Sequence, residues 1–148
     1  FARADNGTAS VDNSGTIDAY SYANVAYGML AQGAYAVASN SGSIIADGVY
    51  ATGILADGYY GATVTSTGGS IEAFGIYGAS GIVANSVAGD AVVVNAATIT
   101  ASSRLGAATG LMASSGAGST SGRCPVWAIN HCAMSLMLAL TPAAGATR

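Results

Sequence analysis

The acids of this chain are seven in number: Asp5, Asp12, Asp18, Asp47, Asp57, Glu72 and Asp90. General acid–base cleavage of a glycosidic bond needs two carboxyl groups roughly 5–9.5 Å apart. When the chain is aligned on the internal repeat described below, Asp18, Ile45, Glu72 and Thr100 fall in one column. Two carboxylates then line up two turns apart, about 9.6 Å at the spacing of stacked strands. That is the outer limit of the catalytic range, and solvated outer-face residues are the reading the spacing favours. A calcium-binding Gly-Gly-x-Gly-x-Asp repeat is missing, and the Asp-Gly pairs at Asp47 and Asp57 read as turns. Cys124, His131 and Cys132 could hold a soft metal, but a structural zinc site takes four ligands. His131 is the only histidine, so a Ser-His-Asp set would have to use it, and no Gly-x-Ser-x-Gly elbow accompanies it. Neither standard phosphate-binding glycine loop occurs. The expectation is a chain with no catalytic residues, no metal and no cofactor.

What, then, do the remaining residues build? Of 148 residues, 51% are hydrophobic and only 7% charged, against roughly 25% charged in an ordinary soluble domain. Alanine (32) and glycine (21) together exceed a third of the chain, and lysine is absent. A net charge of −3 and a pI near 4.5 argue against nucleic acid as a partner. A mean hydropathy of +0.48 argues against a charge-rich disordered segment, and two prolines argue against collagen. Alanine buries little apolar area, so such a chain must rely on close backbone approach and many backbone hydrogen bonds. That suits a regular stacked structure better than a globule. Two cysteines make no disulfide framework. Ala2, Arg3 and Ala4 have the small-x-small form of a signal-peptidase site, although no apolar stretch precedes them.

An internal repeat supplies the stacking. Its first block places Asn13, Asn40, Thr67 and Asn95 four residues before Ile17, Ile44, Ile71 and Ile99, with Ala19, Ala46, Ala73 and Ala101 two residues after. Its second block reads Ala-x-Gly-apolar-apolar-Ala around Gly28, Gly53, Gly81 and Gly110. The linking stretches vary in length while the blocks do not, as expected where insertions fall in loops. Both blocks are too short for packed helices, and the glycine- and serine-rich intervals lack a helical period. Short β-branched runs bounded by Asn-Ser-Gly turns read as strands. Each repeat then forms one coil of a parallel β-solenoid, in coils of about 11–36, 37–63, 64–90 and 91–115, some 19 Å tall in all at about 4.8 Å per coil. Residues 1–10 are a lead-in. The isoleucine and following alanine should face inward by the period of two. The asparagines should form a side-chain ladder interrupted at Thr67, and the glycine columns should supply positive φ at corners. Which apolar residue of the second block faces inward stays open, because the two are adjacent.

These blocks resemble the passenger repeats of bacterial autotransporters and filamentous-haemagglutinin-like surface proteins over about residues 11–115. The resemblance implies a right-handed parallel β-helix projecting from the outer membrane, with no intrinsic catalysis. It also implies a host or cell-surface glycan or protein as ligand, and a parent chain tethered by a C-terminal translocator barrel. The long alternating strands of such a barrel do not occur in this sequence.

After about Gly118 the composition changes. Both cysteines, both prolines, Trp127 and His131 fall beyond it, and residues 133–140 are good helix formers. The tail 116–148 reads as a helical cap, a disordered end or a frame-shifted end. Its apolar stretch falls short of the roughly 20 residues of a membrane helix. The eight tyrosines, from Tyr20 to Tyr77, lie largely in the variable stretches, where they either cover small-residue strands or present an adhesive surface. Paired threonines at Thr63 and Thr65 and at Thr98 and Thr100 do not recur in matching columns, which weakens an ice-binding reading. Open ends with unpaired backbone groups predict self-association. The reading is a structural or adhesive surface stalk. The alternative is a piece of a carbohydrate-active β-helix whose catalytic coils lie elsewhere.

Overall fold

The computed structural model describes residues 1–123 and 134–138, and among these the chain is all-β with no helix. The strands in chain order are β1 (Ala2–Asn13), β2 (Thr16–Asn40), β3 (Ser43–Ser66), β4 (Ser70–Ser86) and β5 (Asp90–Asn95). They continue with β6 (Thr98–Ser103), β7 (Ala107–Ser115), β8 (Thr120–Arg123) and β9 (Met134–Leu138). Every pairing is parallel. The long strands bend around corners, marked by breaks in register such as Ser21 to Val25 and Gly33 to Tyr35 in β2. The result is a β-solenoid of about four turns whose coils each have three sides. The isoleucine side carries Ile17, Ile44, Ile71 and Ile99; the glycine side carries the second block; the asparagine side ends at Asn13, Asn40 and Asn95.

Like residues stack on like. Ile17 pairs with Ile44, Ile44 with Ile71, and Ile71 with Ile99, a single file along the axis. Ile44 and Ile71 are fully buried. On the glycine side Met29, Ile54, Ile82 and Leu111 form a second file, each 0% exposed. The question left open by the sequence is thereby answered: the first apolar residue of the pair points inward, and Leu30, Leu55 and Met112 lie partly exposed on the outer face, with Val83 in the same file only 6% exposed. Alternation slips by one residue here, because the preceding glycine also faces the core. At the angle between the isoleucine and glycine sides the core narrows to alanines alone, Ala26, Ala46, Ala51, Ala73 and Ala79. Only so small a side chain lets two sheets converge that closely, and alanine has no side-chain entropy to lose on burial.

The glycine columns correct an expectation. Gly69, with φ +78°, is the only glycine of positive φ among the described residues, so Gly28, Gly53, Gly81 and Gly110 are not corner glycines. They lie within strands, where space rather than backbone twist demands glycine. A Cβ on Gly53 would fall on the Cγ2 methyl of Ile71 and 2.6 Å from the Gly81 carbonyl oxygen. Gly28 meets Ile44, and Gly81 meets Ile99, in the same way. Each isoleucine thus seats on the glycine of the preceding coil, which explains why the two blocks recur together.

Two other expectations change. Residues 1–10 are already part of the solenoid, since Ala2 to Ala4 stack on Ala31 to Gly33 and Thr8 to Asn13 on Tyr35 to Asn40. The alternating Ala2 and Ala4 pack against the core, which accounts for their small-x-small pattern. In the tail, the described part of the helix-forming stretch is strand: Met134–Leu138 pairs with Leu111–Ser115, and Thr120–Arg123 with Ala91–Val94. An exposed row of backbone groups on the last coil is a stronger local demand than helix propensity. Among the described residues no helix is long and apolar enough to cross a membrane. Cys124, Trp127, His131 and Cys132 lie outside the described residues, and so does the metal reading placed on the two cysteines and the histidine.

Candidate functional site

Asparagine caps one corner in three of the coils. Asn40 Nδ2 donates to the Gly42 carbonyl at 3.0 Å while its Oδ1 accepts from Gly42 N–H at 3.3 Å, so the side chain stands in for a peptide group. Asn13 holds Gly15, and Asn95 holds Ala97, by the same two bonds. The ladder runs from Asn13 Nδ2 to Asn40 Oδ1 (2.8 Å) and from Asn40 Nδ2 to Ser66 Oγ (3.2 Å). Ser66, not Thr67, occupies the column, pairing with Asn40 on one side and Asn95 on the other. The third coil carries one extra residue in this turn, and Gly69 absorbs it with its positive φ. Counting back from Ile71 therefore lands on the wrong residue. This corner's hydrogen-bonding capacity is spent on itself, which makes it structural.

The carboxylate column on the isoleucine side has the expected register, Asp18 to Ile45 to Glu72 to Thr100. Asp18 is exposed and Glu72 half-buried. Among the described residues no three of His, Cys, Asp and Glu gather to hold a metal. Asp47 and Asp57 precede Gly48 and Gly58, where the register breaks at corners, in keeping with turns. The outward threonines do not stack on threonine: Thr63 lies between Val37 and Val92, and Thr65 between Ser39 and Val94.

The tyrosines gather at the two corners that border the glycine side. At one, Tyr50 and Tyr77 stand in successive coils with ring centroids 6.2 Å apart, and Tyr20 meets Tyr22 edge-on at 4.4 Å. At the other, Tyr35 and Tyr60 are 5.9 Å apart and Tyr59 meets Tyr60 edge-on at 4.8 Å. Tyr35 lies over Gly61, and Tyr50 over Gly78, close enough that a Cβ on either glycine would come within 3.3 Å of the ring. These two rings cover glycines, as the covering reading expects. All eight remain substantially exposed, from 39% at Tyr27 to 87% at Tyr22.

Between those ridges lies the outer face of the glycine side. Its apolar file of Leu30, Leu55, Val83 and Met112 runs beside a polar file of Arg3, Gln32, Asp57, Asn85 and Ser114, one residue per coil. Where the polar file meets the corner, a groove of about 470 Å³ is lined by Arg3, Asp5, Gln32, Asp57, Tyr59 and Val87. Arg3 Nε donates to Asp5 Oδ1 at 3.1 Å. Among the described residues the side chains of Gln32, Asp57 and Asn85 make no hydrogen bond. The sequence did hold a signal for this file: it is the position directly after the closing alanine of every second block, and it is polar in each.

At the last coil, Ser119 donates from both its backbone N–H and its hydroxyl to Asp90 Oδ1, each at 2.8 Å. Those two bonds, the backbone one foremost, hold the Asp90 carboxyl below the usual aspartate range. Compared with known proteins, the chain matches no family model, no curated protein and no solved structure.

Proposed function

We propose that this chain is a length of non-enzymatic stalk from a secreted bacterial surface protein, a rigid solenoid that carries adhesive contacts on its sides. The observation that supports this most is the outer surface of the glycine side: two corners of exposed tyrosines flank a sheet face whose polar and apolar files run uninterrupted from coil to coil. Tyrosine brings large contact area at low entropic cost, with a hydroxyl at the rim. Repetition along a rod gives many weak contacts in a line, which suits attachment rather than turnover. The parent polypeptide sits at the cell surface or outer membrane, held by an exporter outside this chain, with a host or cell-surface glycan or protein as ligand.

The carbohydrate-cleaving alternative has less behind it. Asp18 and Glu72 are separated by Ile45 in their column, and both stand at the surface of a sheet with no third acid beside them. Two measurements test the stalk reading. Extracellular protease or membrane-impermeant biotin should reach the protein on intact cells of its source, and the purified chain should attach to a cell or glycan surface. An intracellular location, or release of reducing sugar from polysaccharide by the purified chain, would overturn it.

A further inference from the structure

We propose that the groove and polar file on the glycine side bind an extended, uncharged polysaccharide lying along the solenoid axis. This rests on the adhesive reading and names the ligand class for it. Four observations converge. First, Arg3, Gln32, Asp57, Asn85 and Ser114 stand in strict register, one per coil. Guanidinium, amide and carboxylate are planar groups able to engage neighbouring hydroxyls in pairs. Second, their capacity is unspent: Gln32, Asp57 and Asn85 bond to nothing among the described residues, whereas the Asn13, Asn40 and Asn95 amides are committed to their own turns. Third, the parallel apolar file offers the partly exposed side chains of Leu30, Leu55 and Met112 to the C–H faces of sugar rings, with Val83 between the last two only 6% exposed. Tyr59, 52% exposed, stands at the groove rim. Fourth, the coil rise of about 4.8 Å is close to the length of one sugar residue in an extended chain, so successive sugars meet successive coils.

Charge selects the neutral class. Arg3 is engaged by Asp5, which leaves Asp57 as the carboxylate facing the groove, and a polyanion laid there would meet like charge. The groove, about 470 Å³, lies within the common range of small-ligand sites and would take the first sugars; the polar file continues beyond it across Asn85 to Ser114.

The test is calorimetric titration of the purified chain with β-1,4-linked gluco-oligosaccharides and N-acetylglucosamine oligomers, from the disaccharide upward. Polygalacturonate oligomers serve as the anionic comparison. Affinity should rise with each added sugar and then level off. Asp57→Ala and Tyr59→Ala, both at the surface, should each weaken binding about tenfold or more with unchanged circular dichroism. Asp18→Ala, on the isoleucine side, should leave it unchanged. No binding of either neutral series, affinity independent of length, or equal affinity for polygalacturonate would overturn the proposal. Cell attachment that persists without oligosaccharide binding would remove this groove and leave the adhesive reading standing.

Discussion

At the scale of single residues, the least replaceable positions are the smallest. Gly53→Ala would drive a methyl group into Ile71 and against the Gly81 carbonyl oxygen. Because one obstacle is backbone, the strain has no soft side chain to absorb it, and a loss of about 3 kcal/mol is expected from overpacking. Gly15 has open space where its Cβ would be, so Gly15→Ala should be neutral or slightly stabilising. Chemical denaturation of the two variants side by side measures the contrast. Asn40 is 2% exposed and serves its own turn and both neighbours in the ladder. Asn40→Ala leaves Gly42 and its stacking partners unsatisfied and should cost about 1–3 kcal/mol. Asn95→Ala should cost less, since Asn95 caps its own turn through Ala97 without extending the ladder to Ser66.

At the scale of elements, corners rather than strands carry the variation between coils. The corner after the glycine side is short where it starts at Gly33 or Gly58 and longer where it starts at Ser86 or Ser115. In the longer turns the serine hydroxyl accepts from the N–H three residues on, Gly89 or Gly118. A backbone group that sheet pairing leaves free is thus satisfied locally. The turn from Ser115 to β8 is held by the Asp90 carboxylate as well. Its folded pKa is depressed, so its stabilising effect is present above the ordinary aspartate value near 3.9. The effect is lost as pH falls through the lower folded value. Amide hydrogen exchange at Ser119 should accelerate relative to the other corners on acidification through that window, and Asp90→Asn should remove the dependence.

The same contrast shows what the sequence could reveal. Blocks that recur in fixed order announced the coil, the isoleucine file and the asparagine corner, because stacking makes each residue answer to its copy. The role of the second-block glycines was hidden, since a glycine required for close approach and one required for positive φ look alike in a sequence. Ser66 was hidden by a single inserted residue. The polar file of Gln32, Asp57 and Asn85 was visible as a recurrence but carried no chemical identity until its neighbours on the face were known. The strand at Met134–Leu138 ran against local propensity, for the template beneath it is non-local.

At the scale of the whole molecule, the rod's first coil leaves two rows uncovered: Val25 to Leu30 and Thr16 to Ser21 have β3 on one side and no strand on the other among the described residues. Ile17 there is only half-buried, unlike Ile44 and Ile71. Sedimentation velocity should show association that grows with protein concentration. Ile17→Lys, which turns a charge toward the open end, should shift the population toward monomer. A stable monomer at all concentrations would show that this edge does not recruit a second copy.

The seating of each isoleucine on the glycine one coil earlier has a bearing on how such a protein can change length. Removing residues 44 through 70 joins Ser43 to Ile71 and presents Ile71 to Gly28, the same contact that Ile44 made. Excision of one whole period should therefore leave a shorter rod with the same spectroscopic signature, while loss of a single residue within a block throws every later tooth out of its notch. A gene of this design can lengthen or shorten by unequal crossing-over without inventing a new fold.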